Sequence, residues 1–126
     1  MNIIEFCKEN KVSIKNKWIA ENPNMGGMPR NWLSTLKMGR RQMTVPFSQG
    51  IAHKAEPTAD DVLDCLVSDA HGYENSRDFT DWANEYGYDP DSRRAEKIYN
   101  AVKIQSAKLE KFAGNKHGEL MECEGI

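Results

Sequence analysis

The sequence predicts an α+β fold: a small antiparallel sheet of three or four strands, packed by about three C-terminal helices and preceded by a short N-terminal helix. Three observations predict it. Residues 11–47 alternate apolar and polar, residues after Thr58 repeat their apolar positions with a helical period, and Gly and Pro punctuate the joins. Strands first and helices afterwards argue for helices gathered on one face of the sheet.

Asn2–Asn10 places Ile3, Ile4, Phe6 and Cys7 on one side of a short amphipathic helix. From Lys11 the period becomes two: Val12, Ile14, Trp18 and Ala20 share one parity, with Asn16 as the polar exception, so a strand is expected. Asn22–Gly27 and Gly50–Pro57 read as loops. Between them, Asn31–Met38 (Trp32, Leu36 and Met38 in phase) and Arg41–Ser48 (Met43, Val45 and Phe47 in phase) form a hairpin turning at Gly39. Pro46 has no amide hydrogen, which makes the last strand an edge or ends it.

Thr58, followed three residues later by Asp61, is a capping box for a first main helix that buries Val62, Leu63, Leu66 and Val67 and runs to about Ala70. A second helix is expected to start near Asn75 or Ser76, bury Phe79, Trp82, Ala83 and Tyr86, and stop at Gly87. For the third, Asp89 as cap and Pro90 at the first helical position mark the start. Ala95, Ile98, Tyr99, Val102, Leu109 and Phe112 form its buried stripe, and Gly114 closes it. One domain over residues 1–114 is therefore expected, with residues 115–126 as a flexible polar tail.

Composition bounds the function. At 126 residues the chain has the size of one domain. Three cysteines (Cys7, Cys65 and Cys123) make no CxxC pair, which suits a reducing compartment, and Cys65 sits among apolar neighbours, where core burial is expected. The start of the chain lacks the pattern of a secretory signal, and no apolar run is long enough to span a bilayer, so the cytoplasm is the expected location. His53, His71 and His117 stand apart with no zinc spacing, so no metal or other cofactor is expected. No nucleophile elbow, Cys/His signature or phosphate loop occurs, which argues against an enzyme.

The net charge of −2 conceals a strong asymmetry. Residues 1–55 hold nine Lys/Arg against three Asp/Glu, residues 56–91 hold eleven Asp/Glu against Arg77 alone, and residues 92–126 hold seven against five. The acidic block puts Asp60, Asp61 and Asp64 on the first main helix, opposite its apolar face. On the second helix it puts Asp78, Asp81 and Glu85 at i, i+3 and i+7. Neighbouring carboxylates at these spacings repel by a few tenths of a kcal/mol per pair. Two such stripes could imitate a phosphate backbone towards a protein built to hold one. The ordinary reading is a pair of solvated helix faces, with some carboxylates near helix N-termini because the dipole favours them there. On the basic side, Arg40 and Arg41 flank the Gly39 turn beside Trp32 and Phe47, a combination that suits direct nucleic-acid binding. The sequence pI near 5.9 argues against it. Strand parity places Trp18 and Trp32 in the core rather than at an interface.

Glu56–Val102, EPTADDVLDCLVSDAHGYENSRDFTDWANEYGYDPDSRRAEKIYNAV, and Gly39–Gly50, GRRQMTVPFSQG, resemble a family of small, mostly uncharacterised bacteriophage and prophage proteins, a likeness that spans Lys11 to Phe112. The resemblance implies expression inside an infected bacterium and brings no catalytic residues with it. Accessory phage proteins of this size include inhibitors of host defence, anti-CRISPR and anti-restriction proteins among them. The leading expectation is thus a non-enzymatic phage inhibitor that occludes a basic nucleic-acid-binding surface of a defence protein or ribonucleoprotein with Asp60, Asp61, Asp64, Asp78, Asp81 and Glu85. The alternative is a nucleic-acid-binding accessory protein of phage replication or regulation that uses Arg40, Arg41 and nearby lysines.

Overall fold

A computed structural model describes residues 1–19, 24–25, 28–29, 31–47 and 56–125. Its elements are α1 (Ile3–Glu9), β1 (Ser13–Trp18), β2 (Asn24–Met25), β3 (Met28–Pro29), β4 (Trp32–Met38), β5 (Arg41–Phe47), α2 (Ala59–Glu74), α3 (Phe79–Glu85), α4 (Arg93–Ala113) and α5 (His117–Met121). The architecture is α+β, as the sequence predicts. An antiparallel sheet ordered β1-β4-β5 packs one face on the helices, and β2 and β3 form a separate two-stranded ladder. Most of the Asn22–Gly27 and Gly50–Pro57 loops, and His53, lie outside the described residues.

The helix starts show how local chemistry sets boundaries. Thr58 accepts from the Asp61 amide while the Asp61 carboxylate accepts from the Thr58 amide, the capping box expected. This helix runs on past Ala70 to Glu74, and α3 begins only at Phe79, capped by Asp78 rather than by Asn75 or Ser76. The α3 C-terminus closes on Gly87 at φ 74: the Tyr88 amide donates to Ala83 (2.7 Å) and the Gly87 amide to Asn84 (3.3 Å), a Schellman pair. For α4 the start is three residues later than expected. The Asp89 carboxylate accepts from the Asp91 amide (3.0 Å) and the Asp89 carbonyl from the Ser92 amide (3.0 Å), so Asp89 and Pro90 form a turn. Ser92 caps the helix instead.

The α1 terminus carries strain. Lys11 takes φ 51, with the Val12 amide on the Cys7 carbonyl (2.9 Å) and the Lys11 amide on that of Lys8 (3.3 Å), so a lysine fills the position glycine usually occupies. Lys11→Gly is expected to stabilise the protein by about 0.5–1 kcal/mol. The check is a thermal melt, with a rise of roughly 2–5 °C.

The inner sheet face carries Leu36, Met43, Val45 and Phe47, which join Ile3, Phe6 and the buried stripes of α2 and α4 in one core. Asn16, the polar exception in β1, is answered here. It accepts from the fully buried Ser34 hydroxyl (2.7 Å) and donates to the Pro57 carbonyl (2.8 Å), tying the sheet to the entry of α2. A second, smaller cluster of Trp82, Ala83, Ile98 and Val102, ringed by Tyr73, Phe79, Tyr88 and Tyr99, holds α3 against α4.

Three expected burials are overturned. Cys65 is exposed, because it is out of phase with Val62, Leu63, Leu66 and Val67, and Cys7 is the buried cysteine. Trp18 lies at the sheet end, 46% exposed, edge-on to Trp32 with ring centroids 5.0 Å apart. Tyr86, just past α3, is 50% exposed, with its ring against Trp82 and its hydroxyl over Gly72.

The polar tail is also a correction. Gly114–Lys116 forms a 3-10 turn, and α5 follows with Leu120 fully buried. His71 Nε2 donates to the Met121 carbonyl (2.7 Å), and the Glu124 backbone ties down the N-terminus, its amide donating to the Met1 carbonyl (3.0 Å) and its carbonyl accepting from the Ile3 amide (3.2 Å). Among the described residues, no helix is long and apolar enough to cross a membrane.

Candidate functional site

The outer face of the sheet is the side away from the helices. Its register is regular. Ser13, Lys37 and Gln42 stand side by side across the three strands, then Lys15, Thr35 and Thr44, then Lys17, Leu33 and Pro46. Every one of these residues is exposed or half-buried. The alternation that sends Leu36, Val45 and Phe47 inwards is what sends the lysines outwards. Thr35 and Thr44 hydroxyls share a hydrogen bond across the strands (2.9 Å).

Charge on this sheet has one sign. β1, β4 and β5 contain Lys15, Lys17, Lys37 and Arg41 and not one Asp or Glu. Lys15 and Lys37 are diagonal neighbours on the outer face, about 7–8 Å apart at Cα. Arg40, exposed in the hairpin turn after Gly39 (φ 62), extends the basic surface at the Ser13–Lys37 end. An open face with fixed positive charge and hydroxyl and amide donors can hold an anion. The whole-chain pI obscures this because the described carboxylates all lie outside these three strands.

Arg41 is not part of that face. It has the inward parity of β5, and its Nη1 donates to the Ala113 carbonyl at the C-terminus of α4 (3.3 Å), where a cation complements the helix dipole. Its guanidinium lies where a Cβ on Gly114 would be, and Gly114 itself has φ 56. The expected Arg40/Arg41 pair is therefore divided, one arginine in the turn and one capping a helix.

The six acidic residues also divide. Asp60, Asp61 and Asp64 occupy the first turns of α2 and are half-buried. Asp61 belongs to the capping box, Asp60 is near enough to Cys7 to raise its pKa, and Asp64 lies beside Gly125. Asp78 caps α3 by accepting from the Asp81 amide (2.8 Å). Asp81 accepts from the Arg77 amide (3.0 Å) and pairs with its guanidinium (3.6 Å). Glu85 is exposed at the other end of α3. Between Asp64 and Glu74, the last residue of α2, the helix rises about 15 Å, so the two groups sit towards opposite ends of α2. Three of the six carboxylates thus serve helix N-termini, and the two stripes do not merge into one row.

Sequence reasoning invoked lysines near Arg40 and Arg41 without singling out Lys15, Lys17 and Lys37. The signal was present in the strand alternation, as the polar parity of three carboxylate-free strands. What it lacked was which face the helices leave open.

Two of the thiols, those of Cys7 and Cys123, are held in their neutral form. Burial, then the nearby Asp60 and Cys123, push the Cys7 pKa up from 9.0 to about 11, and burial is also the main reason that of Cys123 is raised. The neutral Cys7 thiol therefore favours the folded state, and that contribution is lost as pH rises from about 9 through about 11. A timed pulse of iodoacetamide at neutral pH is expected to alkylate Cys65 first and to reach Cys7 only when the chain unfolds. Intact mass with peptide mapping checks this, and equal labelling of Cys7 would contradict it. Among the described residues, no three His, Cys, Asp or Glu side chains come together to hold a metal ion.

Comparison with protein-family models, with curated proteins and with solved structures gave no match to this chain.

Proposed function

We propose that this chain is a non-enzymatic nucleic-acid-binding protein, of the phage accessory kind that its sequence resembles, and that its contact surface is the open face of the β1-β4-β5 sheet. One observation carries the reading: three strands with no carboxylate present Lys15, Lys17 and Lys37 together on the face that the helices leave uncovered. Phosphate contacts by lysine supply affinity without base specificity. Binding is therefore expected to be sequence-tolerant and steeply weakened by salt.

Fluorescence anisotropy with labelled oligonucleotides over a salt series tests this. Three lysine contacts to a single strand give a slope of log affinity against log salt near −2, by about 0.7 per contact. Absence of binding at low salt would overturn the reading.

A second reading has separate support in the charge of the helical layer. Residues 56–91 hold eleven Asp/Glu against one basic residue. In it the chain is a phage-encoded inhibitor of a host defence complex, an anti-CRISPR protein for example, docking on a basic surface through Asp60, Asp61, Asp64, Asp78, Asp81 and Glu85. Recovery of a defence effector from a bacterial lysate by the tagged protein, unaffected by nuclease, would favour this reading over the first.

A further inference from the structure

We infer that one phosphodiester group of a nucleic-acid strand seats in the depression at the β1 edge of the open face, between Lys15 and Lys37; this rests on the nucleic-acid reading above. The depression is about 460 Å³ and is lined by Ser13, Ile14, Lys15, Thr35, Lys37 and Gln42. That is within the range of small-ligand sites and ample for a phosphate with its flanking sugar.

Apart from the apolar Ile14, the side chains that line it are donors. Two ammonium groups, two hydroxyls and one carboxamide surround the space, and no carboxylate is among them. Thr35 can take the Thr44 proton in their shared hydrogen bond and turn its own towards an anion. Lys15 and Lys37 repel each other across the β1-β4 pair, and nothing in these strands offsets that repulsion. An anion between them does so.

A phosphodiester fits better than a carboxylate for a geometric reason. Lysines act on phosphate as point charges, and the tetrahedral group offers oxygens to donors converging from several directions. Lys17 follows Lys15 two residues along β1, about 6–7 Å further, so a second charge lies on the track that a strand would follow out of the depression.

The test compares the full-length protein with Lys15→Ala, Lys37→Ala and Lys17→Ala, each checked by circular dichroism. Lys15, Lys37 and Lys17 are all exposed, and their removal leaves the core untouched. The probes are a short thymidine oligonucleotide, the same oligonucleotide with a neutral methylphosphonate backbone, and a polyglutamate peptide of equal length.

The expected result is that Lys15→Ala and Lys37→Ala each weaken oligonucleotide binding severalfold and lower the salt slope by about one contact. Lys17→Ala is expected to do less, and the methylphosphonate to bind poorly. If Lys17→Ala carries the loss while Lys15→Ala and Lys37→Ala match the unaltered protein, the seat is wrong and the nucleic-acid reading stands. If the unaltered protein does not bind the oligonucleotide, both fail. Polyglutamate binding as tight as the oligonucleotide's would overturn the phosphodiester assignment and point to an acidic protein partner.

Discussion

Leu120→Ala is expected to cost the whole domain about 2–5 kcal/mol, a large part of the 5–15 kcal/mol that holds a domain of this kind together. Leu120 is fully buried and belongs to the same core as Ile3, Phe6, Leu109 and Phe112. Its helix is fastened on both sides, by His71 on the Met121 carbonyl and by Glu124 against Met1 and Ile3. Removing the side chain leaves a cavity that these fastenings keep from closing. Removal of residues 115–126 goes further, since it uncovers the α1 side of the core as well. Urea denaturation measures both. A change below about 0.5 kcal/mol for Leu120→Ala, the size typical of an unremarkable surface site, would mean that this segment does not pack on the core.

Trp82→Ala is expected to cost about 3–5 kcal/mol and to act locally. Trp82 is 4% exposed, with the rings of Tyr88, Tyr99, Tyr86 and Phe79 at centroid distances of 5.3, 5.2, 5.5 and 6.4 Å. This aromatic cluster is separate from the core under the sheet and is what joins α3 to α4. Hydrogen exchange is therefore expected to show the Phe79–Glu85 amides losing protection while those of β4 and β5 keep theirs. Uniform loss across both regions would show that the two clusters unfold as one.

These two sites also show what could be read in advance. Trp82, Phe79 and Tyr99 announced themselves by period, because the pattern needs only the residues of α3 and α4, whereas Tyr88 lies beyond the Gly87 stop. The capping box at Thr58 was legible for the same reason: both partners lie within three residues. At Asp89 the local chemistry offered two solutions, and the Asx turn took the residue that composition favoured as a cap. Cys65 was misplaced by counting neighbours in sequence, although the helical phase of Val62, Leu63, Leu66 and Val67 already turned it outwards. The segment after Gly114 was hidden by its polarity. A single leucine anchors it, and the core that Leu120 joins is shared by α1, α2, α4 and the sheet, most of it more than forty residues away in sequence.

The candidate site was legible only in part. Parity put Lys15, Lys17 and Lys37 on one face of their strands, but coverage of that face is a tertiary fact. The acidic residues were conspicuous by their density. Helix geometry then separated them into two groups, and the caps at Thr58 and Asp78 engaged Asp61, Asp78 and Asp81.

The most direct measurement is a side-by-side comparison of charge reversal on the two layers. Lys15→Glu, Lys17→Glu and Lys37→Glu together change the sheet, and Asp60→Lys, Asp64→Lys and Glu85→Lys together change the helices. Oligonucleotide affinity is read at fixed low salt. If the open sheet is the contact surface, the first variant weakens binding by more than about tenfold, and the second leaves it equal or tighter. Binding that survives the sheet reversal would contradict the assignment of function to the sheet.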